Sequence, residues 1–156
     1  MTTLFELRTD VDIRREAVAE NERRIHDAQM GLGPWELTPR QRVLLDLLRG
    51  RQGRLQAITI QELTARTGAD PRSIKADVRE LVVGFKLAIV ASRDSDSGGY
   101  YFATTAQERI AGSADYVKEI IALAERTRVV RNLPDLSALF GQISLELNQP
   151  SKEPQS

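Results

Sequence analysis

The amino-acid sequence predicts a mainly helical α+β protein, with a central unit that carries one small β-hairpin and helical extensions at both ends. Three observations carry that prediction. Apolar residues recur three and four apart in several separate stretches, the spacing of one buried helix face. Helix-start signals stand at Thr38-Pro39, at Asp70-Pro71 and at Thr105 with Glu108 three residues on. One segment, Lys86 to Phe102, has the β-rich run, polar turn and aromatic return of a hairpin.

Composition narrows the function classes. The 156 residues, 41% hydrophobic, are enough for one real core. No stretch approaches 18 uninterrupted apolar residues, and Met1 to Asp10 has neither a basic leader nor a long apolar run, so a soluble cytoplasmic protein without membrane contact is expected. Cysteine is absent and His26 is the one histidine, which excludes disulfides and thiolate chemistry and leaves a metal site almost no nitrogen or sulfur ligands. No glycine loop followed by lysine and no carboxylate pair at catalytic spacing occurs, so neither enzyme activity nor a cofactor or metal is expected.

The formal net charge is zero, but it is unevenly spread. Residues 1–37 hold 5 basic and 8 acidic residues (net −3), 38–103 hold 11 and 7 (net +4), and 104–156 hold 6 and 7 (net −1). Nucleic-acid contact needs local positive potential rather than a basic whole chain, so the central excess is what matters.

Taken in order, a helix is expected from about Asp10 to residue 30, with a thin stripe of Val11, Val18, Ile25 and Ala28 that Arg14, Asn21 and Glu22 interrupt. His26 reads as a surface residue. Gly31-Leu32-Gly33-Pro34 ends this helix, and Trp35 and Leu37 are expected to pin the linker to the core. Thr38-Pro39-Arg40-Gln41 is a capping box opening a second helix with Val43, Leu44, Leu47 and Leu48 as its buried face, closed by Gly50 to Gly53. Ala57-Ile58 supplies a short strand.

From Thr59 to Val83 the pattern is two helices around a tight turn. Ile60 and Leu63 face inward, Gly68-Ala69 stops the first helix, and Asp70 caps the next with Pro71 in its first position. Ile74, Val78, Leu81 and Val82 form its apolar face. Arg72, Lys75 and Arg79 fall within about 60° of one another on the other side, and Ser73, Asp77 and Glu80 take a flank.

With the hairpin that follows, these segments resemble the winged helix-turn-helix of biotin-operon-type repressors and of many small phage and prophage DNA-binding proteins. The residues that carry the likeness are R-Q-R-V-L-L-D-L-L, I-T-I-Q-E-L-T-A-R-T-G-A-D-P-R-S-I-K-A-D-V-R-E-L and G-G-Y-Y, within 38–103. The resemblance implies that 71–83 is a recognition helix entering the major groove of double-stranded DNA and that Arg93 to Gly99 is the wing. Arg72, Ser73, Lys75, Ala76, Arg79 and Arg93 are the implied DNA-binding set. Two departures stand out: Thr64 occupies a position where the family usually has alanine, and the wing holds Asp94 and Asp96, whose carboxylates repel phosphate. Asp94-x-Asp96-x-Gly98-Gly99 also has the start of a calcium loop, but its twelfth position is Thr105 where a glutamate is needed, so a hairpin turn is the reading.

Beyond the hairpin, Thr105 to Glu108 reads as another capping box opening a long helix, with Ile110, Ala114, Val117, Ile121 and Ala124 as a seam. After Asn132-Leu133-Pro134, the residues Leu136, Leu139, Phe140, Ile143 and Leu147 form the cleanest stripe in the chain. A core of three helices and a hairpin leaves that stripe uncovered, so Val117, Ile121, Leu136, Leu139, Phe140, Ile143 and Leu147 are expected to join two copies into a homodimer. The expected organisation is an N-terminal helix and linker (1–37), the winged helix-turn-helix (38–103), a helical oligomerisation region (104–148) and a disordered tail (149–156). The expected function is sequence-specific double-stranded DNA binding as a homodimer, in transcription regulation or in phage replication or packaging. The alternative is a winged-helix protein-interaction scaffold in a larger assembly. The two differ in salt response, since phosphate contacts weaken steeply with salt and apolar interfaces do not.

Overall fold

The computed structural model describes residues 9–93 and 98–149. The chain is mainly helical: α1 (Asp10–Gln29), α2 (Pro39–Arg49), a 3₁₀ turn (Arg54–Gln56), α3 (Ile60–Thr67), α4 (Pro71–Phe85), the strands β1 (Ile89–Ser92) and β2 (Gly99–Phe102), α5 (Ala106–Val130) and α6 (Leu136–Leu147). It forms two compact units, Met1–Ser113 and Ala114–Ser156. Asp94 and Asp96 lie outside the described residues, as does the expected tail from 150 on.

In the first unit, α2, α3 and α4 enclose a core that β1 and β2 close from one side. Leu44, Leu45, Leu48, Leu63, Ile74, Leu81 and Phe102 are fully buried in it. The Thr38 box forms as read: the Thr38 hydroxyl accepts from the Gln41 N–H at 3.1 Å and the Gln41 side-chain oxygen accepts from the Thr38 N–H at 3.1 Å. The predicted buried face of α2 is partly corrected, because Val43 is exposed and Leu45 is buried in its place. Both positions fit an apolar arc, and the side on which α3 packs chose between them.

α1 and the linker after it are not set apart from this core. Ile25, Ala28 and Leu37 belong to it. The residues that seemed to interrupt the α1 stripe are those that dock it: buried Asn21 donates to Gln52 Oε1 at 2.9 Å and to the Ala103 carbonyl at 3.2 Å, and Glu22 pairs with Arg49 at 3.0 Å. Val11, by contrast, is exposed. Trp35 pins the linker as expected, with its ring edge-on to Phe85 at 5.0 Å between centroids.

That contact also explains Gly84, which sits inside α4 and does not end it. A Cβ at Gly84 would run into the Trp35 ring. The helix instead ends at Phe85, and Lys86 caps it in the left-handed conformation (φ 59°). The strand expected from Lys86 therefore starts only at Ile89, where β2 first offers partners, with Ile89 opposite Phe102 and Ser92 opposite Gly99 in antiparallel register. Ile58 is the expected extra strand reduced to one bridge, exchanging 2.9 Å hydrogen bonds with Tyr100.

The entry to α5 differs from a simple capping box. Thr105 does accept from the Glu108 N–H at 3.1 Å, but the Glu108 carboxylate accepts from the Thr104 N–H at 3.0 Å and from the Arg54 N–H at 2.6 Å. It thereby ties α5 to the 3₁₀ turn.

The second unit holds the rest of α5 and all of α6. Asp135 caps α6 by accepting from the Ala138 N–H at 2.8 Å, and Arg131 pairs with Glu146 at 2.8 Å. Leu139 is buried within this single chain, which corrects its assignment as an open dimer contact; Leu136 and Ile143 are half-buried. Val117, Ile121, Phe140 and Leu147 are exposed. No helix among the described residues is long and apolar enough to cross a membrane.

Candidate nucleic-acid interface

The turn between α3 and α4 is built from three local choices. Thr59 caps α3 by accepting from the Glu62 N–H at 3.2 Å. Gly68 takes the left-handed conformation (φ 71°) that ends α3, where a side chain would be strained. Asp70 then caps α4, accepting from the Ser73 hydroxyl at 2.6 Å and the Ser73 N–H at 3.3 Å. Those two bonds, the hydroxyl first, hold the Asp70 carboxyl below its usual range. Pro71 occupies the first helical position, where no N–H is needed.

α4 presents two chemically different sides. Ile74, Val78, Leu81 and Phe85 face the core, and Asp77 is buried beside them. Asp77 accepts from Arg40 of α2 in a bidentate contact whose outer arm is 3.1 Å, and Glu80 accepts from the Gln41 side-chain amide at 2.6 Å. The Asp77 carboxylate holds the Arg40 guanidinium above its ordinary value. Two members of the flank of Ser73, Asp77 and Glu80 are thus tied to α2. Arg72, Lys75, Ala76 and Arg79, spaced i, i+3, i+4 and i+7, are all exposed on the outer side. None of Arg72, Lys75 and Arg79 forms an ion pair or side-chain hydrogen bond among the described residues.

Of the six residues singled out in the sequence, Arg72, Lys75, Ala76 and Arg79 share this open face. Ser73 is half-buried and its hydroxyl proton is committed to the Asp70 cap. Arg93 is exposed at the end of β1. A groove of about 430 Å³ brings Lys75 and Arg93 together with Thr59 and Gln61 of α3 and with Tyr100 and Gly99 of β2. Gly99 is needed where this groove meets the core, since a Cβ there would run into the Ile58 carbonyl.

Thr59 and Gln61 were not legible as groove residues. Thr59 carries only its capping signal, and Gln61 is one polar residue among many. Among the described residues, no group of His, Cys, Asp or Glu could hold a metal ion. His26 is exposed near the end of α1. No family model, no curated protein and no solved structure matches the chain.

Proposed function

We propose that this chain is a sequence-reading, double-stranded DNA-binding protein of the winged helix-turn-helix class. It acts in the cytoplasm as a homodimer, as a transcriptional regulator or a phage replication or packaging factor. α3, its turn and α4 form the reading head, with α4 entering the major groove and the β1–β2 hairpin serving as the wing.

The observation that supports this reading is the division of charge around α4. Both carboxylates within α4, buried Asp77 and exposed Glu80, are engaged by α2, while Arg72, Lys75 and Arg79 point outward without partners among the described residues. With its acids held against α2, the outer side of α4 is left with positive charge alone. Ala76 between the cations leaves room for base edges, and an alanine methyl suits contact with a thymine methyl. Arg72 and Arg79 have the fork geometry that reads guanine, and Lys75 with Arg93 flanks the groove where a phosphate backbone would run.

Selection of sites from random duplexes at near-physiological salt tests the reading. An enriched motif is expected, bound with an affinity that falls steeply as salt rises. Absence of any enriched motif, with salt-insensitive binding to proteins, would transfer the chain to the scaffold class. Arg79→Ala is expected to weaken cognate binding by roughly 5- to 150-fold, corresponding to about 1 to 3 kcal/mol, without altering thermal unfolding.

A further inference from the structure

The second unit exposes more apolar surface than one chain can use. On a helical projection, the apolar residues of α5 from Ala114 to Ala124, apart from Ala122, span an arc of about 180° and divide into two faces. One face carries Val117, Ile121 and Ala124, and the other Tyr116, Ile120 and Leu123. Lys118, Glu119, Glu125 and Arg126 all lie on the remaining polar arc. Tyr116, Val117, Ile120, Ile121 and Leu123 are each between 49% and 67% exposed, so neither face is covered within the described residues.

α6 shows the complementary half of the problem. Its stripe is split lengthwise: Leu139 on one edge is buried in its own chain, whereas Phe140 and Leu147 on the other edge remain exposed. These seven exposed side chains together leave on the order of 700–800 Å² per chain, close to what each partner of a standard interface buries. The arc from 114 to 124 carries no charge, so it matches another uncharged apolar surface of the same shape rather than a charged ligand.

We infer that the occupant is a second copy of this unit and that the two α5–α6 pairs close into one four-helix bundle with α5 inside. The face of Val117 and Ile121, flanked by the small Ala114 and Ala124, meets the partner's α5 across the two-fold axis. The face of Tyr116, Ile120 and Leu123 receives the edge of the partner's α6 that carries Phe140 and Leu147. A helix with two apolar faces needs two neighbours, and this arrangement supplies both from one partner. The inference rests on the two-copy part of the proposed function and not on the DNA reading.

Because the chain has no cysteine, single replacements give unambiguous cross-links. The full chain is expected to sediment as a dimer at tens of micromolar without DNA. Ile121→Cys should then form a disulfide with itself under mild oxidation, and a mixture of Ile120→Cys and Phe140→Cys a mixed disulfide. Ala122→Cys, on the polar arc, should form none. Ile121→Glu combined with Phe140→Glu is expected to raise the dimer dissociation constant at least about 100-fold while α4 retains contact with a single half-site. A monomeric wild type, equal cross-linking through Ala122→Cys, or a dimer untouched by the two glutamates would each overturn the bundle. Loss of DNA binding by Arg79→Ala in a protein that still dimerises would bear on the reading head alone.

Discussion

The two units treat apolar side chains in opposite ways. In the first, residues from α1, α2, α3, α4 and both strands converge on one core in which Leu45, Leu48, Leu63, Leu81 and Phe102 are fully enclosed. In the second, Leu139 is the one buried residue among those described, although α5 and α6 are rich in apolar side chains. An amphipathic pattern records that a face must be covered; it does not say which element, or which chain, covers it.

Large-to-small substitutions should separate the units most strongly. Leu48→Ala is expected to cost about 2 to 5 kcal/mol in denaturant unfolding, because it leaves a cavity among close-packed neighbours. Leu145→Ala, on the exposed outer side of α6, should stay within about 0.5 kcal/mol. Similar costs at the two positions would mean that the second unit is as fully packed as the first. A smaller effect is expected from Gly84→Ala, which drives a methyl group into Trp35 and should destabilise the first unit by about 1 to 3 kcal/mol. In a Trp35→Ala background the same change should cost little beyond the loss of the ring itself, and an undiminished cost there would show that the glycine answers to something other than the ring.

Acid should act within the first unit. Burial by itself would raise the Glu108 carboxyl, but the N–H groups of Thr104 and Arg54 and the Thr104 hydroxyl outweigh it and hold the group below its usual range. A folded value below the unfolded one gives stability that is complete above the ordinary carboxylate range and is lost as pH falls through the lowered value. Glu108→Gln is therefore expected to flatten the acid limb of the stability curve while leaving its neutral-pH shape alone. An unchanged acid limb would remove Glu108 from the attachment of α5 to the 3₁₀ turn.

The smallest expected effect concerns Thr64, whose hydroxyl is buried without a hydrogen-bond partner among the described residues. Thr64→Ala should be neutral or stabilising by up to about 1 kcal/mol, since the lost methyl packing is offset by removal of an unsatisfied polar group. A clear destabilisation in thermal unfolding would mean that the hydroxyl has a partner in solution.

Local chemistry was legible in the sequence wherever a signal and its target lie within one turn of chain. The Thr38–Gln41 box, the Gly68 stop, the Asp70 cap with Pro71, and the helical spacing that puts Arg72, Lys75 and Arg79 on one side of α4 all follow from residues three or four apart. What required the tertiary structure involves partners distant in sequence. Asn21 reads as a break in a stripe until Gln52 and Ala103 meet it, and Asp77 reads as one residue of a polar flank until Arg40 binds it. Periodicity placed Val43 and not Leu45 on the buried face of α2, and nothing within one turn of Gly84 shows that Trp35 lies across it. Backbone geometry dictates hydrogen bonds within a turn regardless of the fold, whereas the burial of a side chain depends on which surface the rest of the chain brings against it.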